Sequence, residues 1–237
     1  MLFKIAMPVS TGSACYVLYF IKKMKNHIKI AVIGGSGKSG KYLVEELLNK
    51  GFQFKLLLRN PDKLQVEHQA VEIVKGDVAT YDSVRQLVEG CNAVISTLGL
   101  GIPASEPTIF TQSSRNVIRA MAECNIKRYI VTTGLNVNSP FDRKGEASSL
   151  ATNWMKTNFP ASTENKQEEY QILYDSKVDW TLVRLPLIEL SQEKGDISLS
   201  LEDCPGERIR ARDLASFLVE QLFDERYIRS APFIASV

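Results

Sequence analysis

A glycine-rich loop at residues 34–40 carries the clearest chemical signal in the sequence. It follows an apolar run and precedes an amphipathic helical pattern, a context in which glycines form a tight turn at the start of a helix. The N–H groups at such a helix start point at negative charge, and glycines let a pyrophosphate approach the backbone. We predict that the loop binds the pyrophosphate of a dinucleotide through Gly34, Ser36, Gly37, Lys38, Ser39 and Gly40.

The spacing of the glycines fits two dinucleotide templates and argues against a nucleoside triphosphate loop. G-x-x-G-x-x-G begins at Gly34, and G-x-G-x-x-G begins at Gly35. The order Gly-Lys-Ser at 37–39 is similar to the end of a P-loop, but Val32 stands where that motif needs its first glycine. The later apolar run 93–97 also ends in serine and threonine and not in a magnesium-binding aspartate. A strand–turn–helix of purely structural role is the remaining alternative.

Three more positions follow predicted strands at the same edge of the predicted sheet. An acidic residue after the second strand would accept hydrogen bonds from the ribose of NAD, whereas Arg59 stands there and suits the 2′-phosphate of NADP. Asp77 and Val78 follow the third strand, near the expected adenine, and Leu98 and Gly99 follow the fourth, beside the expected nicotinamide. An exposed loop arginine and a turn-forming aspartate are the structural alternatives. The sequence therefore favours NADP(H), with NAD(H) possible.

Alternating strand and helix patterns must position these residues. Near-continuous apolar runs predict strands buried on both faces at 28–33, 54–58, 71–74, 93–97, 129–133 and 181–185. Apolar stripes predict helices around 43–48, 84–88, 117–121 and 214–222. This alternation is typical of the α/β class: a doubly wound parallel sheet (Rossmann fold), here with a small C-terminal lobe. Residues 134–165 lack a regular pattern, and we expect them to form an open pocket over the carboxyl ends of the strands, lined by Thr133 and by a turn at 186–188.

Composition narrows the class of protein further. The 237 residues include 29 basic and 27 acidic side chains, and a net charge of +2 gives no reason to expect nucleic acid or an anionic membrane as partner. The four cysteines are widely spaced and only two histidines are present, so we expect no metal site and a reducing, cytoplasmic location. We treat residues 1–24 as an extension or docked segment, because their apolar run is too short to span a membrane, with a membrane-associated leader as the alternative. Residues 25–237 form the predicted domain, a monomer or a homodimer.

The chain resembles the atypical short-chain dehydrogenase/reductase superfamily. Within it, the similarity is to the NAD(P)H-binding group of NmrA-like proteins, biliverdin reductase B/flavin reductase and bacterial NADH-flavin reductases. The resemblance rests on the glycine loop and on the segments 58–61, 76–77, 132–134, 180–186 and 212–215. It implies that Thr132, Thr133, Lys166 and Pro186 contact the cofactor, with Thr133 and Lys166 at the family's catalytic serine and lysine positions.

One departure from the family decides the expected chemistry. Alcohol- and ketone-reducing members carry a tyrosine four residues before the lysine, and Ser162 stands there in this chain. Hydride transfer to a flavin or a quinone-like acceptor does not need that phenol, because the protein mainly stacks the acceptor on the cofactor. We therefore expect an NAD(P)H-dependent oxidoreductase of flavin-reductase type. A non-catalytic NAD(P) sensor and an epimerase or reductase of the extended type are the alternatives, and Lys166 as a plain surface lysine is another.

Overall fold

The computed structural model describes residues 28–63, 67–101 and 104–237. The predicted extension 1–24 lies outside the described residues. The strands β1 to β10 span Lys29–Ile33, Gln53–Leu58, Val71–Lys75, Ala93–Ser96, Arg128–Gly134, Asp179–Leu185, Leu187–Glu189, Ile197–Ser200, Arg208–Arg210 and Phe233–Ser236. The α-helices α1 to α6 span Gly40–Asn49, Tyr81–Val88, Ile109–Glu123, Glu146–Asn158, Pro160–Asp175 and Ala211–Glu220.

The main sheet has the strand order of a doubly wound fold. Its eight strands run β3-β2-β1-β4-β5-β6-β10-β8, and all neighbours pair in parallel except β8, which is antiparallel to β10. The chain moves outward from β1 to β3 and then returns to β4 on the other side of β1. Ligands bind at such a reversal, outside the carboxyl ends of the strands. The predicted Rossmann fold is confirmed.

Helices cover both faces of the sheet, which explains the uninterrupted apolar runs. On β1, Ile30 and Val32 face the helices α1 and α6, whereas Ala31 and Ile33 face α2, α3 and α5. All four side chains are buried. Because neither face of these strands meets water, the sequence shows continuous hydrophobicity in place of alternation.

The prediction of an irregular stretch at 134–165 is wrong. Helix α4 occupies Glu146–Asn158, and α5 begins at Pro160. The pattern hides α4 because it buries two small polar residues, Ser148 and Thr152, while Leu150 and Trp154 are exposed. A helix without an apolar stripe has no periodic signal to detect. A proline at the first helical position is favourable and marks the separate start of α5.

The residues after β6 also differ from the prediction. A turn was expected at 186–188, but Leu187 and Ile188 belong to β7. Strand β7 pairs in parallel with β9 as a separate two-stranded sheet. Strands β10 and β8 extend the main sheet instead of joining that smaller one. The predicted C-terminal lobe is therefore limited to β7, β9 and their connections.

Candidate functional site

The glycine loop connects β1 to α1, and two of its glycines are required by packing. Gly34 has a φ of +80°, and a Cβ there would lie 2.7 Å from the backbone carbonyl carbon of Thr97. A Cβ on Gly40 would overlap the carbonyl oxygen of Gly34, because the first turn of α1 packs on the loop. Gly40 is the last glycine of both templates, and Gly34, with its left-handed φ, is the first glycine of G-x-x-G-x-x-G.

Gly37 is different, because nothing in the protein fills the space beside it. Its N–H donates to the Gly34 carbonyl at 2.9 Å, and an added Cβ would meet only that same oxygen, at 3.1 Å. In the described part of the chain, the N–H groups of Ser36, Lys38 and Ser39 have no hydrogen-bond acceptor. An open glycine among free N–H donors at a helix start is the arrangement that binds a pyrophosphate. The residues present therefore fit a dinucleotide.

Arg59 follows β2 and reaches across the end of β1. Its Nη1 donates to the Ser105 hydroxyl at 3.2 Å, and Ser105 belongs to the segment after β4. Since β1 lies between β2 and β4, this hydrogen bond spans the carboxyl end of β1, directly before the glycine loop. The guanidinium is exposed and has no carboxylate partner among the described residues, so it is free to turn to a phosphate. No motif in the sequence indicated a role for Ser105.

The two residues predicted near the adenine are held by local contacts. The Asp77 carboxylate accepts the N–H of Ala79 at 2.8 Å, a turn-stabilising bond. The Val78 side chain is buried in the core, and its carbonyl accepts from Asn116 at 3.0 Å. Any contact of Val78 with a ligand would therefore come from its backbone N–H.

Beside the expected nicotinamide, the segment after β4 leaves open space. The Leu98 side chain packs on the core. A Cβ on Gly99 would meet no heavy atom within 4 Å. The backbone at Gly99 is therefore accessible to a ligand, whereas the Leu98 side chain is not directed at one.

Strand β5 ends in buried hydroxyl and amide groups with unused hydrogen-bonding capacity. Thr133 is 3% exposed, and its Oγ1 has no partner among the described residues. The Nδ2 atom of Asn136 is buried and equally unpaired. Thr132 points to the opposite face of the sheet, and its hydroxyl donates to the Ser96 carbonyl at 3.4 Å. Because unpaired buried polar atoms are rare in native proteins, Thr133 and Asn136 are candidates for contact with a ligand.

Lys166 lies on α5 with its ammonium turned into the protein. Its Nζ is 4.8 Å from the centre of the Phe110 ring. Burial lowers the pKa of Lys166, and the nearby Glu169 carboxylate partly offsets that effect. The neighbouring Asn165 accepts the N–H groups of Phe110 and Thr111 at 3.2 Å each and so ties α5 to the first turn of α3. The Lys166 ammonium is thus directed inward, and its contact with a cofactor stays a prediction.

The segment between β5 and α4 is fixed by a fully buried arginine. Arg184 on β6 forms an ion pair with Asp142 at 2.6 Å and also donates to three backbone carbonyls, those of Val137, Leu201 and Ala231. Pro186, two residues further along, is buried at the same end of β6. These contacts fix the position of the chain after Thr133, so the buried arginine helps to position the candidate site.

A surface pocket of about 290 Å³ opens beside this segment, lined by residues 140–143 and 201–202. Neither Thr133 nor Pro186 lines it. The acceptor pocket that we predicted at Thr133 and 186–188 therefore differs from this one.

The predicted site residues lie along the carboxyl edge of β1 to β6. No sequence motif indicated three of the residues beside them, Ser105, Asn136 and Glu169.

Fold and loop define a dinucleotide-binding Rossmann protein, and comparison with known families agrees. The NAD(P)H-binding family model matches residues 34–225. The chain belongs to this NAD(P)H-binding family.

Solved structures show the same fold at low sequence identity. A short-chain dehydrogenase/reductase from Veillonella parvula DSM 2008, in complex with NADP, superposes with a TM-score of 0.74 at 16% identity, covering 88% of this chain and 94% of that one. A Rossmann-fold NAD(P)-binding protein from Shigella flexneri gives a TM-score of 0.68 at 18% identity, with 89% and 94% covered.

Curated relatives include reductases, and the chain spans less than half the length of the cinnamoyl-CoA reductases that it matches. Cinnamoyl-CoA reductase 1 of Petunia hybrida is 28% identical over 152 residues, which cover 57% of this chain and 44% of that enzyme. An uncharacterized chloroplastic protein of Arabidopsis thaliana is 24% identical over 206 residues, 83% of this chain and 72% of that protein.

In the ranges 28–63, 67–101 and 104–237, no helix combines the length and the apolar character of a membrane-spanning segment. No group of three or more His, Cys, Asp and Glu side chains in those ranges could hold a metal ion. The cytoplasmic location stays a prediction.

Proposed function

We propose that this protein is an NADPH-preferring oxidoreductase that reduces a flavin or a similar conjugated acceptor, such as a quinone. The cofactor supplies the hydride, and the protein supplies binding, alignment and exclusion of water. The N–H groups of Ser36, Lys38 and Ser39 around Gly37 would hold the pyrophosphate. Arg59 would exchange its hydrogen bond to Ser105 for the 2′-phosphate.

The observation that supports this acceptor class is the residue type one helical turn before Lys166. Ser162 stands there, where ketone-reducing members of the resembled superfamily carry a tyrosine. Among the described residues, Tyr170 on α5 and Tyr129 on β5 are poor substitutes, because burial raises the pKa of both. A general acid is effective when its pKa lies near the working pH. Carbonyl reduction is therefore poorly served, whereas hydride transfer between stacked rings depends mainly on distance and alignment.

Steady-state NADPH oxidation with FMN, riboflavin and a small quinone, beside a panel of ketones, tests the proposal. We expect turnover with the conjugated acceptors and none with the ketones. Thr133→Ala should lower the rate modestly, because the hydroxyl orients the reactants and does not take part in bond making. Thr157→Ala is the control, since that hydroxyl is exposed on α4 and lies outside the predicted site.

Two outcomes would overturn the proposal. Turnover confined to ketones would show that another group replaces the tyrosine. Tight NADPH binding without turnover of any acceptor would instead favour a non-catalytic sensor of the cofactor.

A further inference from the structure

A hydrogen bond between Arg59 and Ser105 crosses the edge of the sheet beside the glycine loop. Arg59 follows β2 and Ser105 lies after β4, and the Nη1 atom of the arginine donates to the serine hydroxyl oxygen at 3.2 Å. Strand β1, which leads into the glycine loop, lies between these two strands. Arg59 is exposed and Ser105 is half-buried. A ligand can therefore contact both side chains without any movement of the core.

Most of the donor capacity of this pair is unused. A guanidinium has five N–H donors, and in the described ranges Arg59 uses Nη1 alone, for Ser105. The Ser105 hydroxyl accepts that bond, and its own hydrogen has no acceptor in the same ranges. The adjacent Glu106 is exposed and, within this part of the chain, forms no ion pair with Arg59. One cation and a free O–H donor side by side suit an anion with several oxygens.

Ser105 keeps its place when Arg59 turns away, because its backbone is held separately. The Ser105 N–H donates to the Leu100 carbonyl at 2.7 Å. The distance of 3.2 Å between Nη1 and the hydroxyl oxygen also limits where a shared ligand can lie. Any oxygen at hydrogen-bond distance from Nη1 is within about 6 Å of the Ser105 oxygen. A phosphate that Arg59 binds is therefore a close neighbour of Ser105.

We propose that Ser105 is a specificity-determining residue for NADP(H), which donates its hydroxyl hydrogen to the 2′-phosphate that Arg59 binds. The inference rests on the proposed function. When the cofactor enters, Nη1 of Arg59 exchanges the Ser105 oxygen for one phosphate oxygen, and the Ser105 O–H donates to another oxygen of the same group. NAD(H) carries a neutral hydroxyl in place of the phosphate, so neither residue gives it a hydrogen bond between opposite charges. The two residues therefore favour the same cofactor from two sides.

Calorimetric titration of Ser105→Ala with NADPH and NADH tests the contact. The Kd for NADPH should rise about tenfold, because one hydrogen bond to a charged group is lost. The Kd for NADH should change by less than about twofold, since NADH lacks that group. Ser105→Thr is the matched control: it keeps the hydroxyl and should bind NADPH within about threefold of the wild type. An unchanged Kd for NADPH in Ser105→Ala, or equal weakening for both cofactors, overturns the inference.

A second comparison separates a direct contact from mere support of Arg59. In an Arg59→Ala background, Ser105→Ala should still weaken the binding of adenosine 2′,5′-bisphosphate by about threefold or more, and should leave the binding of adenosine 5′-monophosphate unchanged. Neither probe contains nicotinamide, so the result does not depend on turnover. If the second substitution has no further effect on the bisphosphate, Ser105 acts only by holding Arg59, and the direct contact is refuted.

The proposed function and the role of Ser105 can fail separately. If the wild type reduces no acceptor but the variants bind as expected, the reductase activity fails and the role of Ser105 stands. If the wild type prefers NADPH and Ser105→Ala retains that preference in full, the role of Ser105 fails alone. Equal affinity of the wild type for NADPH and NADH would overturn both the cofactor preference and the role of Ser105.

Discussion

Replacing Gly37 by valine should abolish cofactor binding without unfolding the protein. The Cβ would lie 3.1 Å from the Gly34 carbonyl oxygen, a contact that a shift of a few tenths of an ångström relieves. The φ of Gly37 is not in the left-handed region, so a side chain adds no backbone strain of that kind. Glycine substitutions at compatible φ change stability by about 1 kcal/mol or less. We expect a Tm within about 4 °C of the wild type.

The effect on affinity should be much larger, because the added side chain occupies the space beside the free N–H donors. Hydrogen bonds to a charged group contribute about 1.5–3 kcal/mol each. Loss of two such bonds costs roughly 3–6 kcal/mol, so the Kd should rise between roughly 10²-fold and 10⁴-fold. Calorimetric or fluorescence titration with NADPH measures this change, and a thermal melt of the same sample checks the fold.

Two companion variants make the experiment specific. Ser36→Ala keeps the backbone N–H and adds no bulk, so it should bind NADPH nearly as well as the wild type. Gly40→Val should lose both binding and stability, because its side chain would overlap the Gly34 carbonyl. If Gly37→Val binds NADPH as tightly as the wild type, the loop is only a turn and the pyrophosphate must lie elsewhere.

Three further predictions concern charged groups. Arg59→Ala should remove most of a preference for NADPH over NADH of about tenfold or more, measured as a ratio of dissociation constants; equal affinities in the wild type would contradict it. Asp142→Ala leaves the buried Arg184 without its carboxylate, so we expect a loss of about 3–5 kcal/mol in denaturant unfolding. Burial raises the pKa of Glu169 from near 4.5 to about 7, so folding takes up a proton between these two pH values. The free energy of unfolding should therefore fall as pH rises from about 4.5 to about 7, and Glu169→Gln should flatten this pH dependence.

Strands β1, β2, β4, β5 and β6 could be predicted because of where they lie, whereas β3 is an edge strand with exposed Glu72 and Ile73 and is not buried on both faces as predicted. In β1, β4 and β5 both faces are covered by helices, and a segment buried on both sides needs nothing but apolar residues. Strands β8 and β10 could not be predicted, since each has four residues and gains its place from pairing with the other. Helix α4 was missed for a related reason: its buried residues are polar, so no hydrophobic period marks it.

The candidate site also contains residues that could be predicted from the sequence and residues that could not. The glycine loop is recognisable because Gly40 packs on Gly34, only six residues earlier, although Gly34 also packs on the distant backbone of Thr97. Ser105 becomes relevant only through its hydrogen bond to Arg59, 46 residues earlier in the chain. Asn136 carries no pattern at all, and only its burial without a hydrogen-bond partner draws attention to it.

Glu169 shows most clearly why sequence reasoning stopped at Lys166. The family pattern directs attention to the lysine and to the missing tyrosine before it, but it is silent about the residue one turn later. That residue matters because Ser114, 55 positions away, meets it in a place closed to water. A glutamate exposed to solvent would stay ionised, and Lys166 beside it would be an ordinary ammonium. Glu169 is instead packed under α3, and burial raises its pKa to about 7. The pKa of Lys166 therefore depends on the packing of α3 against α5, which no short motif contains.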